Sequence, residues 1–385
     1  MAVIKNADLK SIVNISGNYC VSIYMPTTRV ATEWNQNSVR FKNLIHQAEE
    51  ELSSLDADSE TVKELLDPLW ELQKDTRFLQ ELKEGLAVFS GPKFFQYHVL
   101  PVSVPEFSSV SNRFHIKPLL YLSNHNMEYF LLAFSKHEVS LYKADRFSLE
   151  KIDLPDAPTN MDEFLRFDQE EEQLQFHTGT THQREKRSAV YHGQGTGTDK
   201  GQEKEKTSRY IHAVQESVSN ALQGKSSPLV LFTVEYLQGI YRKQNTYANL
   251  VQEGIHGNPE QLGDAELRDA AWKIVEPMAQ QKIEDTVAAF HNEKDENKVL
   301  GKADTVLENS VNGRVHTVFV SYDDIFWGDY NEAENSTTYY DKQRPGAFDL
   351  LDSAARFSYL NGGSVYVLPK EQMPKKEPIA AVYRY

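Results

Sequence analysis

Short apolar runs alternate with amphipathic stretches along this chain, and each pattern predicts a different element. Near-continuous apolar runs predict strands, and they lie at residues 19–25, 86–89, 94–100, 119–122, 129–134, 139–142, 229–234, 317–320, 365–368 and 379–383. Apolar residues at helical spacing predict helices, which begin near Phe41, Val62, Ile211, Tyr236, Leu267 and Leu351. The runs at 86–89 and 94–100 flank a short polar turn and therefore predict a hairpin.

Breaks between these elements predict three α/β domains. An N-terminal α/β domain covers residues 1–111, a central domain covers 112–225, and a C-terminal α/β sandwich covers 226–385. The alternation of strands and helices in the last segment is typical of a sandwich. A chain of 385 residues is longer than a single hydrophobic core usually accommodates, which agrees with this division.

A glycine-rich stretch at residues 177–209 lies inside the predicted central domain. It has five glycines, three histidines and almost no apolar residues, and seven Lys/Arg stand against four Asp/Glu. One interpretation is contact with phosphate or RNA, and the other is a solvated insertion. Its position between strands and a helix, away from either terminus, favours a functional role.

Charge and composition narrow the possible functions. The formal net charge is −15, so any nucleic-acid binding must use a local basic face. The apolar fraction of 40% fits a soluble globular protein, and no apolar run is long enough to span a bilayer. Cys20 is the single cysteine, which excludes an internal disulfide and a multi-thiolate zinc site. Cytoplasmic residence is the default expectation.

Several side chains have two competing interpretations. His177, His182 and His192 have spacings that place no pair on one helical face, so no metal site is expected. Arg184, Lys186 and Arg187 could pair with phosphates or could simply be exposed. The polar-aromatic residues from 241 to 247 could face RNA or a protein partner, or their tyrosines could pack at a helix end.

A set of motifs in order along the chain resembles the bacterial archaeo-eukaryotic release factor (baeRF) family. The motifs are VSIYMPT, RFKNLIHQAEEEL, RFHIKPLL, YHGQG, PLVLFTVEYLQGIYRKQNTY, EGIHGNP, AAWKIVEP and LNGGSVYVLPKEQMP. The resemblance spans the chain from about Val21 to Tyr385. It implies three domains similar to those of archaeal and eukaryotic class I release factors and of Pelota. The first would lie near the decoding end of the ribosomal A site, and the second would reach the peptidyl-transferase centre. The third would be similar to kink-turn RNA-binding ribosomal proteins and would be able to hold a translational GTPase.

Class I release factors use a Gly-Gly-Gln loop for ester hydrolysis, in which glycines allow close backbone approach and the glutamine helps to position water. At the matching place this chain has His192-Gly193-Gln194-Gly195. The resemblance therefore implies Gln194 as the candidate catalytic residue. It also implies a set of candidate RNA contacts. These are Arg184, Lys186, Arg187, His192, Gly193, Gln194 and Gly195.

Three functions follow as hypotheses. The first is a ribosome A-site-binding translation factor that acts in rescue or hibernation. The second is a codon-independent peptidyl-tRNA ester hydrolase, although His192 adds a side chain where the release factors have glycine. The third is a stress-related protein-interaction scaffold, for which the acidic surface argues. The expected partners are ribosomal RNA, peptidyl-tRNA and a translational GTPase, with no DNA, membrane, metal or cofactor.

Overall fold

The computed structural model describes residues 6–28, 34–166, 198–293, 299–331, 334 and 336–385. The fold is mixed α/β with several sheets, as the sequence predicts. The chain divides into two compact units: unit 1 contains residues 1–125 and 280–385, and unit 2 contains residues 126–279. Within the described ranges, no helix has the length and apolar character required to cross a bilayer.

The N-terminal part of unit 1 is an antiparallel sheet with helices packed beside it. Its elements are α1 (Asn6–Asn14), β1 (Ser16–Pro26), α2 (Trp34–Ser54), α3 (Ser59–Lys74), α4 (Thr76–Gln80), β2 (Gly85–Gly91), β3 (Phe94–Leu100), β4 (Phe107–Arg113) and α5 (Lys117–Asn124). The strand order is β3-β2-β1-β4, and the predicted hairpin is confirmed by the antiparallel pairing of β2 with β3. Apolar residues of α2, α3 and the sheet form one buried core.

Unit 2 is a five-stranded sheet covered by helices on both faces. Its elements are β5 (Tyr129–Phe134), β6 (Val139–Ala144), β7 (Leu149–Ile152), α6 (Thr198–Ala221), β8 (Leu229–Thr233), α7 (Glu235–Gln244), β9 (Ile255–His256) and α8 (Asp264–Asn292), which belongs to unit 2 up to residue 279. The strand order is β7-β6-β5-β8-β9, with β5, β8 and β9 parallel. One core contains apolar residues of α6 and α7, and the other contains those of α8. The alternate side chains of β5 and β8 supply both cores, because successive strand residues point to opposite faces.

The C-terminal part of unit 1 has two further sheets. Its elements are β10 (Val299–Leu300), α9 (Ala303–Val311), β11 (Val315–Ser321), β12 (Trp327–Asn331), β13 (Ser336–Tyr339), β14 (Phe348–Asp349), α10 (Leu350–Leu360), β15 (Ser364–Leu368) and β16 (Ile379–Tyr383). The larger sheet has the order β10-β16-β11-β15, and the smaller has the order β13-β12-β14. Residues from the last turns of α8 pack on the larger sheet in a separate buried cluster.

A buried ionic network lies inside unit 1 at the RFHIKPLL motif. The Lys117 Nζ lies 2.7 Å from Asp349 Oδ2, and both side chains are almost completely excluded from solvent. Asp352 Oδ1 accepts hydrogen bonds from the backbone N–H groups of Ile116 and Lys117, at 2.7 and 2.5 Å. Burial lowers the pKa of His115 and raises the pKa of Asp352. The motif therefore ties β4 and α5 to α10, and its polar groups face the protein interior.

Two sequence predictions are wrong in the light of this topology. The predicted boundary between a central domain 112–225 and a sandwich 226–385 would separate β8 from β5, yet these strands pair in parallel in one sheet. The helix-covered sheet therefore lies within residues 126–279. The run at 119–122 is part of helix α5 and not a strand, and Pro118 in the first turn of α5 favours the helix start.

Candidate functional site

The residues singled out by the sequence are outside the described ranges. The candidate catalytic residue is Gln194, and the candidate RNA contacts are Arg184, Lys186, Arg187, His192, Gly193, Gln194 and Gly195; all of them fall between residues 167 and 197. The histidines at 177 and 182 fall there as well. What the structure does describe is the part of unit 2 to which this segment is joined at residues 166 and 198.

The predicted glycine-rich stretch is too long at its C-terminal end. Residues from Thr198 onward form helix α6, so the last twelve residues of the stretch 177–209 are helical. The helix is fixed by Tyr210, Ile211, Val214 and Val218, which are all fully buried against the sheet. Residues 201–205 of this helix are exposed, and a Cβ added at Gly201 would meet no atom within 4 Å.

The end of strand β5 fixes both flanks of the segment 167–197. Tyr210 on α6 donates a hydrogen bond from its hydroxyl to the Ser135 carbonyl oxygen at 2.9 Å. The Lys136 carbonyl oxygen accepts a hydrogen bond from the Met161 N–H at 2.7 Å, and Lys136 Nζ lies 3.1 Å from Glu203 Oε1. The described residues before this segment and helix α6 after it therefore both contact the same strand end.

A short helical segment at residues 161–166 precedes the undescribed stretch. The Asn160 side chain accepts a hydrogen bond from the Glu163 N–H at 2.8 Å and so caps the start of this segment. The Phe164 ring lies 6.1 Å from the ring of Tyr210 on α6. This contact gives residues 161–166 a fixed place on the same face of the sheet as α6.

The described strand end contains charges of both signs. The hydrogen bond with Glu203 raises the pKa of Lys136, which therefore stays charged, and its Nζ also lies 5.9 Å from the centre of the Tyr236 ring. Glu260 accepts a hydrogen bond from the Ser135 hydroxyl. Within residues 177–209, the part before α6 has most of the positive excess, because Arg184, Lys186 and Arg187 stand there against a single acidic residue.

A groove of about 460 Å³ lies beside the strand end on the same face. Its walls come from the segment 161–166, α6 and α7, and the lining residues are Phe164, Ser208, Arg209, His212, Ala213, Glu216 and Gln244. Gln244 Nε2 donates hydrogen bonds to the Ser208 hydroxyl at 2.8 Å and to the Ser208 carbonyl at 3.1 Å. The lining is mixed in polarity, and Ser208, His212 and Glu216 give it side chains that can donate and accept hydrogen bonds.

The polar-aromatic residues from 241 to 247 lie within the described ranges. Tyr241 is fully buried and Tyr247 is 9% exposed, so these tyrosines pack against the core and do not face a partner. Arg242 donates from Nη1 to the Val251 carbonyl oxygen at 2.8 Å. Among the described residues, no group of His, Cys, Asp and Glu could hold a metal ion.

Comparisons with known proteins place unit 2 in a family. Residues 129–277 match the model of the bacterial archaeo-eukaryotic release factor family 7. No curated protein matches the chain. The matched segment coincides closely with the compact unit 126–279, so the family domain and the physical unit are the same part of the molecule.

Similar solved structures include translation termination and termination-like factors. The archaeal translation termination factor aRF1 is 16% identical, with 99% of both chains covered and a TM-score of 0.22. Pelota from Archaeoglobus fulgidus is 14% identical over 78% of this chain and 79% of that chain, with a TM-score of 0.31. Dom34 from S. cerevisiae is 11% identical over the same shares of the two chains, with a TM-score of 0.35. These low values support no functional conclusion. The resemblance to the bacterial archaeo-eukaryotic release factors is confirmed by the family 7 match over residues 129–277.

Proposed function

We propose that this protein is a translation factor that binds the ribosomal A site and acts in ribosome rescue or hibernation. The observation that carries the proposal is the family match over residues 129–277, which covers nearly the whole of unit 2. The geometry at the end of β5 supports it, because both flanks of the segment 167–197, which contains Arg184, Lys186 and Arg187, contact one strand end. Within this segment the run from Arg184 to Arg187 has three cations and one anion, so positive charge is local to that run in a chain whose net charge is −15.

Arg184, Lys186 and Arg187 are the proposed phosphate contacts. The net charge repels RNA over most of the surface, so these local cations have to supply the attraction. Loss of phosphate contacts weakens binding and also reduces its dependence on salt. The salt dependence therefore separates phosphate contacts from structural effects.

Cosedimentation with 70S ribosomes tests this proposal. We expect the wild-type protein to pellet with ribosomes at about 50 mM salt and to be released at about 200 mM. Alanine at Arg184, Lys186 and Arg187 together should abolish pelleting at the lower salt. A control variant removes three exposed lysines elsewhere, with alanine at Lys42, Lys63 and Lys225, and should still pellet. If the wild-type protein stays in the supernatant, or if both triple variants behave alike, the proposal is wrong.

Binding without ester hydrolysis is the form of the proposal that the sequence favours. Histidine at position 192 adds a Cβ and an imidazole where the release factors have the first glycine of their motif. We therefore expect no release of labelled peptide from stalled ribosomes. Release that disappears in Gln194→Ala would instead identify a peptidyl-tRNA hydrolase, with Gln194 in the catalytic role.

A further inference from the structure

A turn in unit 1 holds two consecutive lysines in the left-handed backbone region. Lys375 and Lys376 both have a φ of 56°, and the Glu377 N–H donates to the Pro374 carbonyl oxygen at 3.3 Å. Positive φ at both central residues is the geometry of a type I′ turn, in which Asn-Gly is the favoured pair. Lysine in this geometry is destabilising, because its Cβ approaches the carbonyl oxygen. Such positions persist where the surrounding structure enforces them, and they are concentrated at functional sites.

The base of this turn is buried while its tip is exposed. Met373 is 5% exposed and belongs to a cluster with Phe290 and Phe319, and Ile379 begins strand β16 with 1% exposure. Both lysine side chains at the tip are exposed. The turn therefore presents two ammonium groups from a rigid support.

These two lysines differ from the neighbouring Lys370 in their partners. Lys370 Nζ forms an ion pair with Asp324 Oδ1 at 3.0 Å. Lys375 Nζ lies 5.8 Å from the centre of the Phe290 ring, and neither Lys375 nor Lys376 forms an ion pair within the described ranges. Glu377 and Glu371 flank the turn and reduce its local potential without pairing with it.

We propose that the Lys375–Lys376 turn is a second RNA contact, in which the two ammonium groups bind phosphates of ribosomal RNA. This inference rests on the proposed function and adds a contact from unit 1. A protein partner fits the turn less well, because protein interfaces are built around buried apolar anchors, and no large apolar side chain is exposed between residues 370 and 377. Phosphates need only accessible positive charge.

The test replaces the lysines by the pair that suits the turn. The double variant Lys375→Asn, Lys376→Gly should keep or raise the melting temperature, because it relieves the backbone strain. Its affinity for 70S ribosomes should fall. The slope of log K against log salt should become shallower by about 1.4–1.8, since each lost phosphate contact contributes about 0.7–0.9.

Lys93 provides a matched control in the same unit. It is an exposed lysine in a turn with a φ of 55°, and its N–H donates to Glu64 Oε1 at 3.2 Å. Lys93→Gly removes one charge and relieves one strained residue, so it should be compared with Lys376→Gly. We expect only Lys376→Gly to weaken ribosome binding. Equal affinity and equal salt slope for the two variants would overturn this inference while leaving the proposed function in place. A wild-type protein that binds no ribosomes would contradict both.

Cross-linking identifies the partner class. Cys20 is fully buried, and burial raises the pKa of its thiol to about 11, so a maleimide will not label it in the folded protein. Glu377→Cys can therefore be labelled selectively with a benzophenone maleimide while both lysines are retained. A cross-link on ribosomes that is sensitive to ribonuclease is the expected result. A cross-link to protein alone would overturn the assignment of RNA as the ligand.

Discussion

Lys117 supplies the positive charge in the buried network of unit 1, and replacing it with methionine removes that charge while keeping most of the side-chain volume. Its Nζ lies 2.7 Å from Asp349 Oδ2 and donates to the Asp324 carbonyl oxygen at 2.6 Å. With an effective dielectric constant of about 20, the attraction to Asp349 has a gross value of about 6 kcal/mol. The desolvation of both groups offsets much of this gain.

The expected result of Lys117→Met is a large loss of stability, because Asp349 would stay buried without a counter-ion. Removal of one partner from a buried pair costs about 3–5 kcal/mol. Urea unfolding followed by tryptophan fluorescence and far-UV circular dichroism would measure the change in free energy of unfolding. Unit 1 contains Trp70 and Trp327, which report on its packing.

A double-mutant cycle separates the ion pair from packing. Asp349→Asn alone leaves Lys117 without its carboxylate, and the double variant removes both charges. The double variant should therefore lose less stability than the sum of the two single variants, by about 1–3 kcal/mol. A loss below about 1 kcal/mol in Lys117→Met, or strict additivity in the cycle, would refute the buried pair.

Three further predictions concern a closely packed glycine, an exposed helical glycine and a half-buried carboxyl group. Gly328→Ala should destabilise unit 1 by about 1–3 kcal/mol in urea unfolding, because the new Cβ would clash with the Thr338 carbonyl oxygen and lie 2.8 Å from Leu350 Cδ1. Gly201→Ala in the exposed first turns of α6 should have the opposite sign and stabilise by about 0.5–1 kcal/mol; destabilisation would contradict the helix there. Burial raises the pKa of Glu51 to about 7, so the folded state binds this proton more tightly than the unfolded chain. The stabilisation from Glu51 is therefore present below about pH 4.5 and is lost as the pH rises through about 7. Glu51→Gln should remove this decline when urea midpoints at pH 5 and pH 8 are compared with those of the wild type, and an unchanged difference would contradict the shift.

Local patterns predicted much of the secondary structure, because the relevant signals lie within a few residues. The hairpin at residues 86–100 was predictable, since two apolar runs flank a tight turn. The run at 119–122 was not, because a short apolar run fits a buried helix as well as a strand. Its helical state depends on Pro118 and on Asp352, whose carboxylate holds the backbone N–H groups at the helix start.

The predicted domain boundary failed because strands that are far apart in the sequence pair with each other. Strands β5 and β8 are separated by about a hundred residues, yet Phe130 pairs with Leu229. No local pattern contains that information, so the predicted boundary near 225 cut through a sheet. The start of α6 was missed for a related reason. Its first turns are polar, and the apolar period that reveals the helix begins at Tyr210.

The predicted site residues stay predictions, since they lie between 167 and 197. The structure adds the contacts of Ser135 and Lys136, which hold the residues on both sides of that segment. The sequence has no signal for these contacts, because Ser135 and Lys136 are ordinary polar residues between the predicted strands 129–134 and 139–142. The residues that make these contacts with Ser135 and Lys136 are Met161, Glu203 and Tyr210, which are distant in the sequence.

Competition with tRNA tests the central claim, which is occupancy of the ribosomal A site. Ribosomes carrying a P-site tRNA would be titrated with fluorescently labelled protein, first with an empty A site and then with a tRNA bound there. Mutually exclusive binding is predicted, so that the apparent Kd for the protein rises in proportion to the concentration of A-site tRNA. Simultaneous binding of the protein and the A-site tRNA, with an unchanged Kd, would contradict the claim.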